Sequence, residues 1–396
     1  MKSINTSLYS NVLKIVMDFP NFESVKLGER EATQIANCNL RRIGILYDLV
    51  NCNLHTGEWS KVPLEECKMF RVLSALRIFY MLLCSEDNVD QLDDVIYVAD
   101  FGNMLGSPVY IDYNGENIDL LKSIAMLLKN AKKNKEETAT PVKRAKISDD
   151  CTEEVCEVPI LHRPSLEYFG SEHYAKAEPA LLRDVIDDWP ALHLWSDPNY
   201  LIEKAGETTV PVEIGSTYSS DDWSQQLVKF KDFVVNSSGL CLTAEASSQR
   251  NVPVYLAQYE LFDQIPELRA DIFVPDYIGR TDVNPRIKAW LGPKGTVSPL
   301  HTDPSHNLLC QVFGSKTVIL ASPGDTPNLY PHDHFMLSNT SQVDAKNVNY
   351  ERFPLTRKVH FRRLGLRRGD VLYIPPGWWH YVESRTPSFS VSFWFD

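Results

Sequence analysis

No CxxC pair occurs among the eight cysteines, and the two nearest to each other, Cys151 and Cys156, sit in a polar stretch far from any ligand-like histidine. A zinc ribbon or a dithiol redox centre is thereby excluded, and reduced thiols are expected. Long apolar runs are missing as well. The longest, residues 78–84, falls far short of the ~20 needed to cross a bilayer, so no membrane span is expected. Positive charge is in deficit: 40 Lys and Arg against 52 Asp and Glu leave a formal net charge of −12. That balance argues against direct binding to nucleic-acid phosphates and favours a basic peptide as partner. Residues 1–21 lack the charged-then-apolar pattern of a secretory leader, so a soluble intracellular protein, read as a monomer, is the expectation.

What is present is a globular composition, 43% hydrophobic and 23% charged. At 396 residues the chain exceeds the size at which one core stops growing, which predicts two domains. Residues 1–129 read as a helical packing or partner-docking domain. Ile35, Leu40, Ile43, Leu46 and Leu49 suggest one helix; Met69, Val72, Leu76, Phe79 and Leu83 a second; Leu120, Ile124, Leu127 and Leu128 a third. Residues 130–157 turn to Lys, Glu, Thr, Asp and Ser and read as a linker too polar to bury surface. Within it Lys132 and Lys133, then Lys143, Arg144 and Lys146, fit either a two-part nuclear import signal or a solvated charge run. Residues 158–396 alternate in the strand period, most clearly Phe389, Val391, Phe393 and Phe395 against Ser390, Ser392 and Trp394. They predict a sandwich or barrel, preceded by short helices near 166–174 and 259–268.

Ser298-Pro-Leu-His-Thr-Asp-Pro sets His301 and Asp303 two positions apart, which on a strand places imidazole and carboxylate on one face. His380, after the Pro375-Pro376-Gly377 bend, is the candidate third ligand. Two histidines and one carboxylate leave half an octahedron open, the pattern for non-haem Fe(II) rather than tetrahedral zinc. His332, Asp333 and His334 also cluster, but in a Pro-flanked segment that reads as a surface loop. Lys316, after the Phe313-Gly-Ser turn, is the candidate cation for a cosubstrate carboxylate that would be costly to bury unpaired.

Through His301-Thr-Asp303, Lys316, His380 and Ser388-Phe-Ser-Val-Ser-Phe-Trp the chain resembles the jumonji-C oxygenases over nearly all residues after 158. The similarity extends to Tyr255-Leu-Ala-Gln258, the segment from Trp290 to His301, Tyr330-Pro-His-Asp and Asn339-Thr-Ser-Gln-Val-Asp344. The resemblance implies an α+β chain, with a helical N-terminal domain followed by a double-stranded β-helix of the jelly-roll, cupin-like kind. It implies Fe(II), 2-oxoglutarate and O₂ as cofactor and cosubstrates, with Tyr255, Ser298, Asn307, Lys316 and Trp394 holding 2-oxoglutarate. Glu213, Trp223, Gln258 and Trp290 would line a substrate pocket suited to a planar cation. The activity implied is C-3 hydroxylation of arginine in a protein, with ribosomal or chromatin-associated proteins or histone tails as the expected partners and the nucleus, and also the cytoplasm, as the expected location. The alternatives are demethylation of histone lysine, peptide cleavage at methylated arginine, for which no nucleophile signature is present, and a barrel that binds partners without chemistry.

Overall fold

In the computed structural model the chain divides into two compact units, residues 1–140 with 207–209, and residues 141–206 with 210–396. The structure describes residues 29–55, 61–84, 90–113, 115–135, 141–145 and 147, and within 156–396 all but 216, 219, 221, 242–252, 279–283 and 335–336. The reading of residues 1–21, Cys151 and Lys146 lies outside the described residues.

In the first unit the helices α1 (Glu29–Leu54), α2 (Leu64–Cys84), α3 (Asp90–Leu105) and α4 (Leu120–Lys135) share a core that includes Phe70, Leu73, Ile78, Ile96, Leu121, Ile124 and Leu128. The buried arc of α2 differs from the expected stripe: Phe70, Leu73 and Ala75 are buried, while Met69 is 53% exposed. The cause is that α2 packs against α1, α3 and α4 at once, so its buried face is wide and is not centred where a single apolar stripe points. The region is also not wholly helical. A hairpin of β1 (Tyr110–Tyr113) and β2 (Glu116–Asp119) precedes α4, turning at Gly115 with φ +84°. Arg71, 5% exposed, donates to both carboxylate oxygens of Asp119 at 2.7 and 2.5 Å.

The stretch 130–157 corrects the linker reading. α4 continues to Lys135, and Lys132 is 3% exposed and ion-paired with Asp93, so of the first basic pair of the suggested import signal Lys132 is not solvated while Lys133 is exposed. Residues 141–147 fall in the second unit. Val142 N–H donates to Asn199, Ala145 N–H donates to Leu240, and Val142 and Ile147 pack on that unit's core. Isolated apolar residues and main-chain bonds to distant partners supply the anchoring that composition does not reveal.

Among the described residues the second unit holds thirteen further strands: β3 (Ile160–His162), β4 (Ala180–Arg183), β5 (Thr209–Ile214), β6 (Ser224–Lys229), β7 (Val254–Tyr259), β8 (Arg286–Gly292), β9 (Val297–His301), β10 (His306–Phe313), β11 (Ser315–Ala321), β12 (Arg362–Arg367), β13 (Val371–Ile374), β14 (Trp379–Ser384) and β15 (Ser388–Phe395). The larger sheet runs β3-β4-β13-β10-β15-β8-β7-β5-β6 and the smaller β12-β11-β14-β9. Facing residues of the two, among them Leu309, Val318, Leu320, Leu364, Leu372 and Val382, form the core between them. This is the jelly-roll, cupin-like part of an α+β chain.

The short helices are more broken than their sequence suggested. Residues 166–174 form one turn, Leu166–Phe169, followed by a π turn, Gly170–Tyr174, and residues 261–269 split at Pro266 into Leu261–Gln264 and Pro266–Arg269. Proline lacks the N–H that would continue the first of these. β15 is buried on both faces. Phe389, Val391, Phe393 and Phe395 join the core outside the larger sheet, while Ser388, Ser390 and Ser392 point into the barrel and are equally buried. Their hydroxyls are satisfied there: Ser390 donates to Gln311 at 2.6 Å, Ser392 accepts from the Trp290 indole at 2.9 Å, and Ser388 shares a bond with Ser384 at 3.0 Å.

Candidate metal centre and substrate recess

β14 and β9 are neighbours in the smaller sheet with His380 directly opposite His301. Three positions on β9 then face two on β14, since Val382 pairs with Ser298. This bulge turns both Ser298 and His301 inward, while Leu300 packs outside with Trp379 and Tyr381.

Asp303 reaches the same point by another route than strand alternation. β9 ends at His301, and Asp303 lies in the following loop. Its carbonyl accepts from Gly377 N–H at 2.9 Å, and Thr302 N–H donates to the Asn339 carbonyl at 2.9 Å. Gly377 has φ +76°, a conformation that a side chain would strain. The Pro-Pro-Gly bend therefore both aims His380 and pins the loop that carries Asp303.

Among the described residues, His301, Asp303 and His380 are the one group of three whose ligand atoms all lie within 4.8 Å of one another. His332, Asp333 and His334 form no such group. His380 Nε2 stands 3.5 Å from Asp303 Oδ2. Both imidazoles are oriented alike: Nδ1 of His301 meets the Pro299 carbonyl at 2.7 Å, and Nδ1 of His380 meets the Trp378 carbonyl at 3.0 Å. A carbonyl can only accept, so each Nδ1 carries the proton and each Nε2 presents a lone pair. Burial, reinforced by His380, lowers the His301 pKa to about 4. Burial alone would raise Asp303, but the hydrogen bond and charge of His380, with smaller contributions from His301 and Arg286, bring it below its ordinary value. At neutral pH the set is one carboxylate and one ring held neutral for coordination by its environment, with a second aimed the same way. Such a facial trio suits a divalent ion that keeps three positions open.

Lys316 enters the barrel from the hairpin between β10 and β11. Gly314 makes that turn with φ +71°, and a Cβ there would stand 2.1 Å from the Pro387 carbonyl. Leu320 lies opposite His380 and Lys316 opposite Ser384, so four residues of strand, ~13 Å, separate the metal end from the lysine. Lys316 is 1% exposed, and its Nζ donates to the Tyr255 hydroxyl at 3.2 Å. Burial alone lowers its pKa to about 7, and burial together with the Glu213 charge raises that of Tyr255. Asn307 and Trp394 are opposed on β10 and β15, and both keep a buried atom without a hydrogen-bond partner, Oδ1 and Nε1 respectively. Unsatisfied buried polar atoms are costly, and here they accompany a buried cation that faces no carboxylate among the described residues. A small dicarboxylate fits this demand, with Lys316 and Tyr255 for one end and Asn307 and Trp394 beside it.

A separate recess is lined by Glu213, Gly215, Thr217, Trp223, Pro253, Tyr255, Thr296 and Val297. Glu213 on β5 pairs with Tyr255 on β7. Burial raises the Glu213 pKa, and a hydrogen bond with the Trp223 indole partly offsets that rise. Two residues expected at a substrate pocket are not among those that line this recess. Gln258 is exposed at an irregularity of β7, with φ +52°, and is not among the lining residues. Trp290 faces the barrel, bound to Ser392 with its ring 6.1 Å from that of Tyr255. The sequence reading missed Arg286, whose guanidinium lies 5.8 Å from the Trp394 ring and donates to Ser305 at 2.8 Å. It also missed Tyr218, edge-on to His301 at 6.3 Å. Neither sits in a motif; both lie in stretches whose local sequence reads as ordinary strand end or polar loop.

The family model described as a cupin-like domain matches residues 165–396. A Drosophila melanogaster protein named Jumonji C domain-containing protein 5 is 46% identical over 362 residues, 89% of this chain and 86% of that one. The chain belongs to the JmjC family of cupin-like proteins. Another JmjC relative, the Danio rerio protein named Lysine-specific demethylase 8, is 35% identical over 412 residues, 99% of this chain and 98% of its own length. The Arabidopsis thaliana protein named Lysine-specific demethylase JMJ30 is 44% identical over 233 residues, 58% of this chain and 53% of that one. JmjC membership agrees with the donor set found at His301, Asp303 and His380.

Proposed function

We propose that this JmjC protein is an Fe(II)- and 2-oxoglutarate-dependent hydroxylase of arginine side chains in a protein substrate, acting at C-3. The observation that carries the reading is the half-buried Glu213 carboxylate, whose pKa is raised by desolvation and whose side-chain hydrogen bond comes from the Trp223 indole. A guanidinium is planar, always charged, and able to donate two parallel hydrogen bonds to such a group. Trp223, 38% exposed, offers an indole face on which that cation can stack.

Fe(II) and 2-oxoglutarate, when bound, supply the oxidising power and O₂ the inserted oxygen. The residues of this chain do the rest. His301, His380 and Asp303 hold the metal from one side, with both rings fixed by backbone carbonyls. Lys316 and Tyr255 bind the distal carboxylate, and Asn307 and Trp394 gain the partners they lack. The apolar core around Val318, Leu320 and Val382 keeps bulk water from that side of the cavity. Glu213 fixes the far end of the substrate side chain, so that its position, and not the reactivity of the metal, selects the carbon attacked.

Mass spectrometry of an arginine peptide incubated with iron and 2-oxoglutarate tests this. One added oxygen on arginine, lost in Glu213→Gln while 2-oxoglutarate affinity is retained, is expected. Turnover of 2-oxoglutarate with a panel of arginine peptides and no oxygen added would defeat the reading. A second reading, demethylation of lysine, is favoured by the names of the zebrafish and Arabidopsis relatives. Formaldehyde released from methyl-lysine peptides, with arginine peptides inert, would select it.

A further inference from the structure

Tyr218 stands in the loop between β5 and β6, the same loop that supplies Thr217 and Trp223 to the recess. Its ring lies edge-on to the His301 ring, with centroids 6.3 Å apart and planes at 87°. It is close enough to both acids that the charges of Asp303 and Glu213 each add to the rise of its pKa, to about 12, which burial dominates. Its hydroxyl meets the Thr340 hydroxyl at 3.1 Å.

The direction of the hydrogen bonds beyond that point can be assigned. Asn339 Nδ2 donates to the Thr302 carbonyl at 3.0 Å, which leaves Asn339 Oδ1 as an acceptor. Thr340 Oγ1 therefore donates to that oxygen, at 3.4 Å, and accepts from Tyr218. The main chain closes the same path: Thr302 N–H donates to the Asn339 carbonyl, and Thr340 bridges to His301. A hydrogen-bonded line thus runs from the recess loop through Tyr218, Thr340 and Asn339 to Thr302, the residue between two metal ligands.

We propose that Tyr218 is a positioning residue which, through Thr340 and Asn339, locks the recess loop to the His301–Asp303 bend and so sets where the substrate side chain lies relative to the metal. Thr340 is fully buried and Tyr218 half-buried, which shields the inner bonds of the line from competing water. The inference rests on the oxygenase reading above. It adds a residue that touches neither metal nor the Glu213 carboxylate by any hydrogen bond found here, yet stands between them.

Two variants test it: Tyr218→Phe, which keeps the ring, and Thr340→Val, which keeps the volume and breaks the line from its other side. The first measurement is hydrogen exchange of the substrate-free protein. Faster exchange across residues 297–306 in both variants, with Mn(II) affinity unchanged, is expected. Wild-type exchange in either variant overturns the proposal whatever the substrate proves to be. The second measurement is oxygen added to an arginine peptide per succinate formed, which should fall about three- to tenfold, what one neutral hydrogen bond is worth. A wild-type ratio in the variants overturns the positioning role. If exchange rises as expected but the wild-type protein oxidises no arginine peptide, the lock stands and the arginine reading falls.

Discussion

Replacing Lys316 with methionine should make the second unit more stable while abolishing its response to 2-oxoglutarate. Burial brings the ammonium pKa from 10.5 to about 7, a difference worth ~5 kcal/mol between the charged and neutral forms. Because folding lowers this pKa, the unfolded chain holds the proton more tightly between those two values. The stability at stake is therefore complete above about pH 10.5 and is lost as the pH falls toward 7. At neutral pH the lysine stands near the bottom of that slope. Methionine has similar length and no charge, and swaps of buried charge for apolar side chains gain ~1–4 kcal/mol. The lost bond to Tyr255 at 3.2 Å takes back part of that. A net gain of ~1–3 kcal/mol raises the melting temperature of a unit this size by about 2–4 °C for each kcal/mol. Binding a carboxylate must restore the charge on Lys316, so above pH 7 it takes up a proton and the 2-oxoglutarate Kd rises by up to about tenfold per pH unit. Thermal melts of both proteins from pH 6 to 9, with and without 2-oxoglutarate, read all of this. A Lys316→Met protein that melts lower than wild type, yet is still stabilised by 2-oxoglutarate, would refute the reasoning.

Trp394→Phe removes a buried N–H that has no partner, so the protein without cosubstrate should lose little stability, within about 1 kcal/mol, while 2-oxoglutarate affinity drops; calorimetric titration and melts separate the two effects. Gly377→Ala meets only ordinary van der Waals contact, its nearest neighbour being Pro323 at 3.7 Å, so only the left-handed backbone at φ +76° is penalised. The cost should be ~1–2 kcal/mol, read by denaturant unfolding, with weaker Mn(II) binding because the same glycine anchors Asp303.

Much of the site could be read from sequence because it is written in local patterns. His301-Thr-Asp303 is two residues apart, Lys316 follows a glycine turn, and the alternation of residues 389–395 identifies a strand without help from distant contacts. The fold class followed for the same reason. What stayed hidden depends on partners far along the chain. The bulge that turns Ser298 inward exists only against β14, and Asp303 is placed by Gly377 rather than by strand alternation. The left-handed backbone of Gln258, which is exposed, likewise carries no local sequence signal. Tyr218 looked like one more polar-loop residue until Thr340, 122 positions away, was seen to hold it. The hairpin of β1 and β2 was overlooked because strands of four residues carry too little periodicity to interrupt a helical pattern.

The account depends on three side chains holding one divalent ion, and a titration of the metal-free protein with Mn(II), followed by electron paramagnetic resonance, tests that most directly. One site per chain is predicted, lost in Asp303→Ala and His380→Ala proteins whose melts show them folded. Stoichiometric binding that survives either substitution, or its absence from the wild-type protein, would contradict the central claim.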